Sequence, residues 1–207
     1  MQGLNPYSAA AERNSKIIFD TLAESLESIT SVLEIGSGTG QHALYASNKH
    51  TSLEWQCSDV EQNIQGLTHN LQTQKDELLP APIHIDVNTQ GWQTGQIFKR
   101  KFDAIYSANT LHIMDSQTVE NFFKGITHAI HEQGHLFLYG PLKMHGEFTS
   151  QSNAEFDESL RARGCGSAIR DIEWICELAI DNGFRARKNI SMPANNQLLV
   201  LDRVGNQ

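Results

Sequence analysis

Short apolar runs alternate with amphipathic stretches along the chain. Residues 31–35 form a strongly apolar run, three glycines at alternate positions follow, and residues 41–48 continue as a helical pattern. Further apolar runs lie at residues 53–58, 83–85, 102–107 and 135–139. Because strands that alternate with helices build βαβ units, this order predicts a parallel sheet covered by helices.

Apolar residues at helical spacing fill the stretches between these runs. Helices are predicted within residues 5–29 and at 60–75, 116–131 and 172–182. The helix at 116–131, with Ser116 as its expected N-cap, carries one apolar stripe, which predicts core packing. Its members are Val119, Phe122, Phe123, Ile126 and Ile130. Periodicity is lost at residues 142–171, which we expect to cover a site and to hold its substrate.

The glycines after the first strand have the pattern G-x-G-x-G, with Gly36, Gly38 and Gly40. A dinucleotide-binding loop needs G-x-G-x-x-G, and here Gln41 stands where its third glycine would be. Glu34, two residues before the first glycine, is unfavourable for a pyrophosphate and suits a cationic ligand. The loop therefore predicts a nucleotide-like site, and its acid suits a cationic ligand such as one with an amino group and a sulfonium.

Acidic residues end the next two strands. Asp59 comes 19 positions after Gly40, close to the roughly 20 residues that place an acid over a ribose in a βαβ unit. Asp59 also suits the N-cap of the following helix, and both roles are compatible. Asp86 would accept from an adenine amino group with Val87 against the ring, and the alternative is that Asp86 starts a turn.

The opening glycine motif resembles the first motif of the class I S-adenosylmethionine (SAM)-dependent methyltransferases, which reads acid-x-G-x-G-x-G. Over nearly the whole chain the resemblance is closer, to the methyltransferase-like family catalogued as domain of unknown function 938, which includes the methyltransferase-like 26 proteins. The stretches that carry it are AERN, VLEIGSGTGQHA, WQCSD, IDVN, FDAIYSANTLHI, the GPL turn and MPANNQLLVLDR. Cys57 stands where proline would be expected in this family.

The resemblance implies an α/β fold: a Rossmann-like, seven-stranded, mostly parallel sheet with helices on both faces and an antiparallel C-terminal strand. Residues 184–190 and 197–204 would form the closing hairpin. One methyltransferase domain would span residues 1–207, with an N-terminal helical segment at 1–30 and a substrate-side cover at 142–171.

The resemblance also implies SAM as cofactor and S-adenosylhomocysteine as product. Its implied binding residues are Glu34, Gly36, Ser37, Gly38 and Gly40 for the methionine end, Asp59 for the ribose, Asp86 and Val87 for the adenine, and Asn109 for the methionine or sulfonium region. Val60 is a further cofactor-binding candidate. Arg13 and Asn14, at the start of the first helix, could line the mouth of the pocket or belong to a solvated first turn.

Methyl transfer from a sulfonium is an in-line displacement that depends on positioning, and it needs a base only for an acceptor that is still protonated. His112 is the candidate base, because imidazole titrates near neutrality and the loop after the fourth strand is expected to face the sulfur. His145 is the next choice, and Arg161 could anchor an acidic acceptor.

Composition limits the class of molecule that could accept the methyl group. A net charge of −8 with no long basic cluster, and the absence of an NPPY tetrapeptide, favour a small molecule over a nucleic acid, with a protein side chain second. Three widely spaced cysteines without C-x-x-C indicate neither a zinc site nor a disulfide framework, and no metal is expected. Without a signal-like start or a membrane-spanning apolar run, we expect a cytoplasmic protein.

Two other functions are open at this point. The chain could retain SAM or S-adenosylhomocysteine without turnover, as a binding module or partner subunit. It could also be a nicotinamide oxidoreductase, which Gln41 and Glu34 disfavour.

Overall fold

A computed structural model describes residues 7–74 and 79–204 of the chain. Its helices are α1 (Ala9–Leu26), α2 (Gln41–Lys49), α3 (Glu61–Thr73), α4 (Gln90–Gln93), α5 (Ser116–Ala129), α6 (Gln151–Arg161) and α7 (Ile172–Asp181). Its strands are β1 (Ser31–Ile35), β2 (Glu54–Asp59), β3 (Ile83–His84), β4 (Phe102–Ala108), β5 (Ile130–Gly140), β6 (Leu142–Lys143), β7 (Arg170–Asp171), β8 (Phe184–Met192) and β9 (Asn196–Arg203).

Seven of these strands form one sheet in the order β3-β2-β1-β4-β5-β9-β8. β1 pairs in parallel with β2 and β4, and β2 pairs in parallel with β3. β9 runs antiparallel to both β5 and β8, so the closing hairpin lies at the sheet edge. The predicted α/β fold with a mostly parallel seven-stranded sheet is confirmed. The strand order reverses between β1 and β4, the place where Rossmann-like sheets bind ligands.

The chain divides into two compact units. The first comprises residues 1–86 and 102–106, and the second comprises residues 87–101 and 107–207. The expected organisation as one methyltransferase domain over residues 1–207 stays a prediction.

In the first unit, α1 packs on the sheet through an aromatic cluster. The Phe19 ring centroid lies 5.5 Å from that of Trp55 and 6.0 Å from that of Tyr106. Ser8 caps the helix, since its side chain accepts a hydrogen bond from the Ala11 N–H over 3.3 Å. Aromatic burial on both strands fixes the helix against them.

In the second unit, α5 buries four of the five residues of the predicted stripe, and the fifth, Ile130, is the first residue of β5. Val119, Phe122, Phe123 and Ile126 are completely buried. Ser116 is not the N-cap: Asp115 holds that position, and its carboxylate accepts from the Thr118 N–H over 2.7 Å. A carboxylate at a helix N-terminus gains from the helix dipole, which a hydroxyl does not.

The segment at residues 142–171 contains regular structure that the sequence pattern did not predict. It holds the short parallel pair β6 and β7 and the helix α6. The Ser150 hydroxyl caps α6 by accepting from the Asn153 N–H over 3.2 Å. The helix buries Asn153, Asp157 and Leu160, two of them polar, and this polar buried face explains why hydrophobic periodicity missed it.

Among the described residues, no helix combines the length and the apolar character that crossing a bilayer requires. Within the same residues, no group of three or more His, Cys, Asp or Glu side chains could hold a metal ion.

Candidate functional site

The glycine loop joins β1 to α2 in the first unit. Gly36, Gly38 and Gly40 have φ values of 77°, 55° and 80°, in the left-handed region that glycine adopts most easily. The N–H groups of Gly36 and Ser37 donate to the Ser58 carbonyl over 3.1 and 2.9 Å, which fixes the loop to the end of β2.

Two of these glycines differ in the space that surrounds them. A Cβ on Gly40 would come within 2.7 Å of a Leu71 methyl carbon and 2.9 Å of one on Leu67, so this glycine permits close packing of α3. A Cβ on Gly38 would meet nothing within 4 Å. Packing therefore does not require a glycine at 38, and the open space beside it can admit a ligand.

Asp59 ends β2 and is 7% exposed. Its Oδ2 accepts from the Gly38 N–H over 2.7 Å, and its Oδ1 accepts from the N–H of Val60 and the amide of Asn63, each over 2.8 Å. A carboxylate has about four acceptor positions, so one is left for a ligand hydroxyl. Asp59 is not the helix N-cap, because Val60 takes that position and α3 begins at Glu61.

The predicted adenine residues follow β3. The Ile85 N–H donates to the Asp59 carbonyl over 2.9 Å, which brings this part of the chain beside the end of β2. Asp86 and Val60 are half-buried, and both belong to the first unit. Val87 is 5% exposed and belongs to the second unit. Their cofactor contacts stay predictions.

Glu34 is almost completely buried, at 1% exposure. Its Oε2 accepts from the indole N–H of Trp55 over 2.9 Å, and its Oε1 lies 3.8 Å from Nδ1 of His42. Burial raises the pKa of the Glu34 carboxyl to about 7. The Glu34 side chain therefore belongs to the protein's own polar network. Its contact with a ligand stays a prediction.

That network continues through His42. Its Nε2 lies 2.7 Å from Oδ1 of Asn14, and its Nδ1 lies 3.2 Å from the Tyr106 hydroxyl. Burial lowers the pKa of His42 to about 4, so the ring is neutral. Sequence reasoning missed His42, Trp55 and Tyr106, because their partners are 21 to 64 positions away and no local pattern marks them.

The AERN stretch begins α1 beside the start of α2. Glu12 accepts from the Gln41 side-chain amide over 3.3 Å, and both residues line an open groove of about 580 Å³. Asn14 is buried against His42. Arg13 is exposed on α1. The structure thus brings Asn14 to the helix that follows the glycine loop, and the cofactor role of Arg13 stays a prediction.

In the second unit, two polar side chains converge on Gly140. Asn109, at the end of β4, has a left-handed φ of 56° and donates its N–H to the Tyr139 carbonyl over 2.8 Å. A Cβ on Gly140 would lie 3.6 Å from Oδ1 of Asn109 and 3.7 Å from Nδ1 of His112. The glycine therefore leaves open a point that both polar atoms face.

His112 is 7% exposed, and its ring packs edge-on against Phe156 with the centroids 5.3 Å apart. Burial, followed by the charges of Arg163 and Arg170, lowers the pKa of His112 to about 4. The ring is thus neutral at pH 7 and can accept a proton only weakly.

Arg170 holds the loop that carries His112. It is 8% exposed and donates to the carbonyls of Leu111, Met114 and Gly166, the first over 3.5 Å and the last over 2.8 Å. The Ala168 N–H also donates to the His112 carbonyl over 3.0 Å. Sequence reasoning gave Arg170 no role, since its carbonyl partners on the loop lie more than fifty positions away.

The predicted substrate residues lie on the surface of the second unit. His145 is exposed, and its Nδ1 is 3.0 Å from Oε1 of Glu173. Nε of Arg161 is 2.5 Å from Oδ2 of the buried Asp157, while most of the Arg161 side chain is exposed. Within the described part of the chain, neither residue forms a hydrogen bond, an ion pair or a ring contact with His112, and their substrate roles stay predictions.

Comparison with known proteins shows which family and which solved structures this chain is similar to. A family model described as "Protein of unknown function (DUF938)" matches residues 5–203. Among solved structures, the mitomycin 7-O-methyltransferase MmcR is 15% identical with a TM-score of 0.78, and the match covers 95% of this chain and 56% of that chain. The SAM-dependent methyltransferase SibL is 13% identical with a TM-score of 0.77, over 95% and 57% of the two chains. PigF, solved with SAH, is 16% identical with a TM-score of 0.74, over 96% and 60%.

These likenesses show the fold, that of the class I methyltransferases. The chain spans little more than half the length of the solved chains it matches. At such identities the activity and substrates of those proteins do not transfer to this chain by likeness alone.

Proposed function

We propose that this chain, which belongs to the DUF938 family and has the class I methyltransferase fold, transfers a methyl group from SAM to a small-molecule acceptor. The observation that carries the proposal is the open space at Gly38. A left-handed loop at the carboxyl end of β1, with room for a ligand and an acid beside it, suits the methionine and ribose parts of SAM.

The first unit supplies the cofactor residues of the proposal. The backbone of Gly36, Ser37 and Gly38 lines the methionine end, and the remaining acceptor position of Asp59 takes a ribose hydroxyl. Asp86 takes the adenine amino group. When bound, SAM supplies an electrophilic methyl group on a positively charged sulfur.

A small-molecule acceptor is supported by charge and by the likenesses. The net charge of −8 disfavours a nucleic-acid partner. Mitomycin 7-O-methyltransferase, which shares the fold, is named for a small molecule. A second candidate, a module that binds SAM or S-adenosylhomocysteine without turnover, is favoured by the weak basicity of His112.

Calorimetric titration with SAM, S-adenosylhomocysteine and NAD tests the cofactor. We expect the two adenosyl ligands to bind and NAD not to bind. Gly38→Ala should weaken SAM binding by about a hundredfold, because a methyl group would fill the space that the ligand needs.

Gly146→Ala is the matched control. Gly146 also has a left-handed φ, 78°, and a Cβ there would likewise meet nothing within 4 Å. Both substitutions should therefore cost about 1 kcal/mol of backbone strain, and only Gly38→Ala should affect SAM. Equal SAM affinity in the two variants would remove the main support for the proposal.

A further inference from the structure

An open groove of about 620 Å³ in the second unit is lined by more cationic than acidic side chains. Lys143, Arg161 and Arg170 line it, and Asp171 is the only acidic side chain on it within the described part of the chain. The whole protein carries a net charge of −8, so an excess of positive charge in one groove is unlike its general character. A local excess of positive charge raises the concentration of anions beside it.

Arg170 is buried in the wall of this groove without a counter-ion in contact. It is 8% exposed, and its guanidinium donates to three backbone carbonyls and, over 3.3 Å, to the Ser116 hydroxyl. No Asp or Glu among residues 7–74 and 79–204 forms an ion pair with it, and the charges of Asp115 and Asp157 act on it from a greater distance. Since a buried charge is costly unless it is paired, an anion in the groove would stabilise this guanidinium.

The other two cationic side chains of the groove have donors that the described chain does not use. Nζ of Lys143 lies 5.7 Å from the centroid of the Phe148 ring and forms no hydrogen bond or ion pair with a described residue. Arg161 pairs with the buried Asp157 through Nε over 2.5 Å, and its two terminal NH₂ groups form no hydrogen bond within the same residues. Two such NH₂ groups on one planar guanidinium can bind both oxygens of a carboxylate.

We propose that this groove binds an aromatic monocarboxylate, with the carboxylate on Lys143 and Arg161 and the ring against Trp174. The half-buried Trp174 lines the same groove, and the guanidinium carbon of Arg170 lies 6.0 Å from its ring centroid. An aromatic ligand gains more from contact with an indole than its buried area alone provides. The inference goes beyond the proposed function, because every lining residue belongs to the second unit and the binding needs no SAM.

A ligand with one negative charge suits the groove better than a ligand with two. Asp157 already neutralises part of the charge of Arg161, and Asp171 adds a negative charge to the lining. Hydrogen bonds at Glu173 and from the Gly146 N–H lower the pKa of Asp171, so its carboxyl is ionised at pH 7. A phosphate monoester carries about two negative charges at that pH, and Asp171 therefore repels it more strongly than it repels a carboxylate.

The test follows the indole N–H resonances by NMR in the full-length protein without SAM. Of the three tryptophans, Trp55 and Trp92 are at most 1% exposed, so a ligand in the groove should shift the Trp174 signal. The probe is 2-naphthoate, which is anionic at pH 7. It should bind with a Kd of about 1 mM or below. The uncharged 2-naphthamide and the ring-free acetate should each bind at least tenfold more weakly. High salt should weaken only the binding of 2-naphthoate and acetate.

Three variants locate the site. Lys143→Met removes one cation and should weaken 2-naphthoate binding about tenfold while leaving 2-naphthamide binding unchanged. Arg161→Met alone would leave the buried Asp157 carboxylate unpaired, so the double variant Arg161→Met/Asp157→Asn is used, in which the new amide oxygen can still accept from the Ile169 N–H. It should lose as much 2-naphthoate affinity. Lys188→Met is the matched control: Lys188 is exposed on β8 in the same unit and does not line the groove, so 2-naphthoate binding should not change.

Each outcome decides one proposal. Equal affinity for 2-naphthoate and 2-naphthamide, an equal loss in Lys188→Met, or no shift of the Trp174 signal would overturn the carboxylate site. Tighter binding of 2-naphthyl phosphate than of 2-naphthoate would overturn the preference for a single charge. Binding of 2-naphthoate to a protein that fails to bind SAM would keep the groove and remove the proposed function. SAM binding without 2-naphthoate binding would remove the groove alone.

Discussion

Two buried histidines, one in each unit, have the same exposure and opposite surroundings. His42 and His112 are both 7% exposed, and burial lowers the pKa of each to about 4. Both ring nitrogens of His42 have partners, Asn14 and Tyr106. Neither nitrogen of His112 has a hydrogen-bond partner among the described residues.

The difference separates a histidine that belongs to a buried hydrogen-bond network from one that packs as a ring without such bonds. The buried imidazole of His42 hydrogen-bonds to one residue of α1 and one of β4, and these bonds connect α1, α2 and β4. They also offset the free-energy cost of desolvating the ring. Among the described residues, the buried side-chain atoms without a hydrogen-bond partner are Nε2 of His50 and Oε1 of Gln197, so the ring nitrogens of His112 keep contact with solvent. Burial and a lowered pKa alone would have ranked the two residues as equal candidates, whereas hydrogen-bond satisfaction distinguishes them.

The largest expected effect comes from truncating each histidine. His42→Ala leaves Asn14 and Tyr106 without partners and opens a cavity, and it should cost about 4 kcal/mol of unfolding free energy. His112→Ala opens a similar cavity beside Phe156 but breaks no ring hydrogen bond, so it should cost less, about 2 kcal/mol. Urea unfolding at pH 7 measures both values.

The double variant Asn14→Ala/His42→Ala serves as the control for the network. If the hydrogen bond between them accounts for the cost, the double variant should lose clearly less stability than the two single variants added together. Equal losses for His42→Ala and His112→Ala would contradict the distinction between the two sites.

The pH dependence of the Glu34 network is the next largest effect. The pKa of Glu34, about 7 in the folded protein, lies above the value of 4.5 expected when unfolded. This carboxyl therefore contributes stability that is complete below pH 4.5 and is lost as the pH rises through 7, about 3 kcal/mol in all. Glu34→Gln, which stays neutral, should gain that amount relative to wild type between pH 4.5 and 8.

Asp103→Asn should change the pH dependence of stability in the opposite direction. Hydrogen bonds from Thr30 and Ser31 hold the pKa of Asp103 below its ordinary value. The carboxylate of Asp103 thus stabilises the fold at neutral pH and loses that effect in acid. The Asn variant should therefore fall behind wild type as the pH rises, while the Glu34 variant should gain on it. Parallel trends in the two variants would count against the raised pKa of the buried Glu34.

The two units also differ in how much the sequence could predict. Strand order, the closing hairpin and the α5 stripe follow from periodicity and motif resemblance, because backbone pairing and core burial repeat along the chain. The glycine loop and Asp59 were found for the same reason, since a βαβ unit fixes their spacing. The Asn14–His42–Tyr106 contacts were not, because they join side chains from three separate elements.

The same limit applies in the second unit. His112 and Asn109 were found because they follow a predicted strand, but no pattern indicates whether a side chain is left unpaired. The helix α6 was missed since its buried face is partly polar, and Arg170 was missed since its partners are backbone carbonyls. Carbonyls carry no sequence signature.

The smallest expected effect concerns Arg170, which holds the His112 loop without touching its ring nitrogens. Arg170→Met leaves three carbonyls without their donor and should cost about 2 kcal/mol. It should also raise the pKa of His112, because one of the two nearby cations is gone. Arg163→Met is the matched control: it removes the other cation but none of these carbonyl bonds, so it should raise the pKa as much and leave stability unchanged. Hydrogen exchange of the Ala168 N–H, which donates to the His112 carbonyl, separates the two effects. Faster exchange in Arg170→Met alone would show that Arg170 positions the histidine. Equal exchange in both variants would mean that Arg170 affects His112 only through its charge.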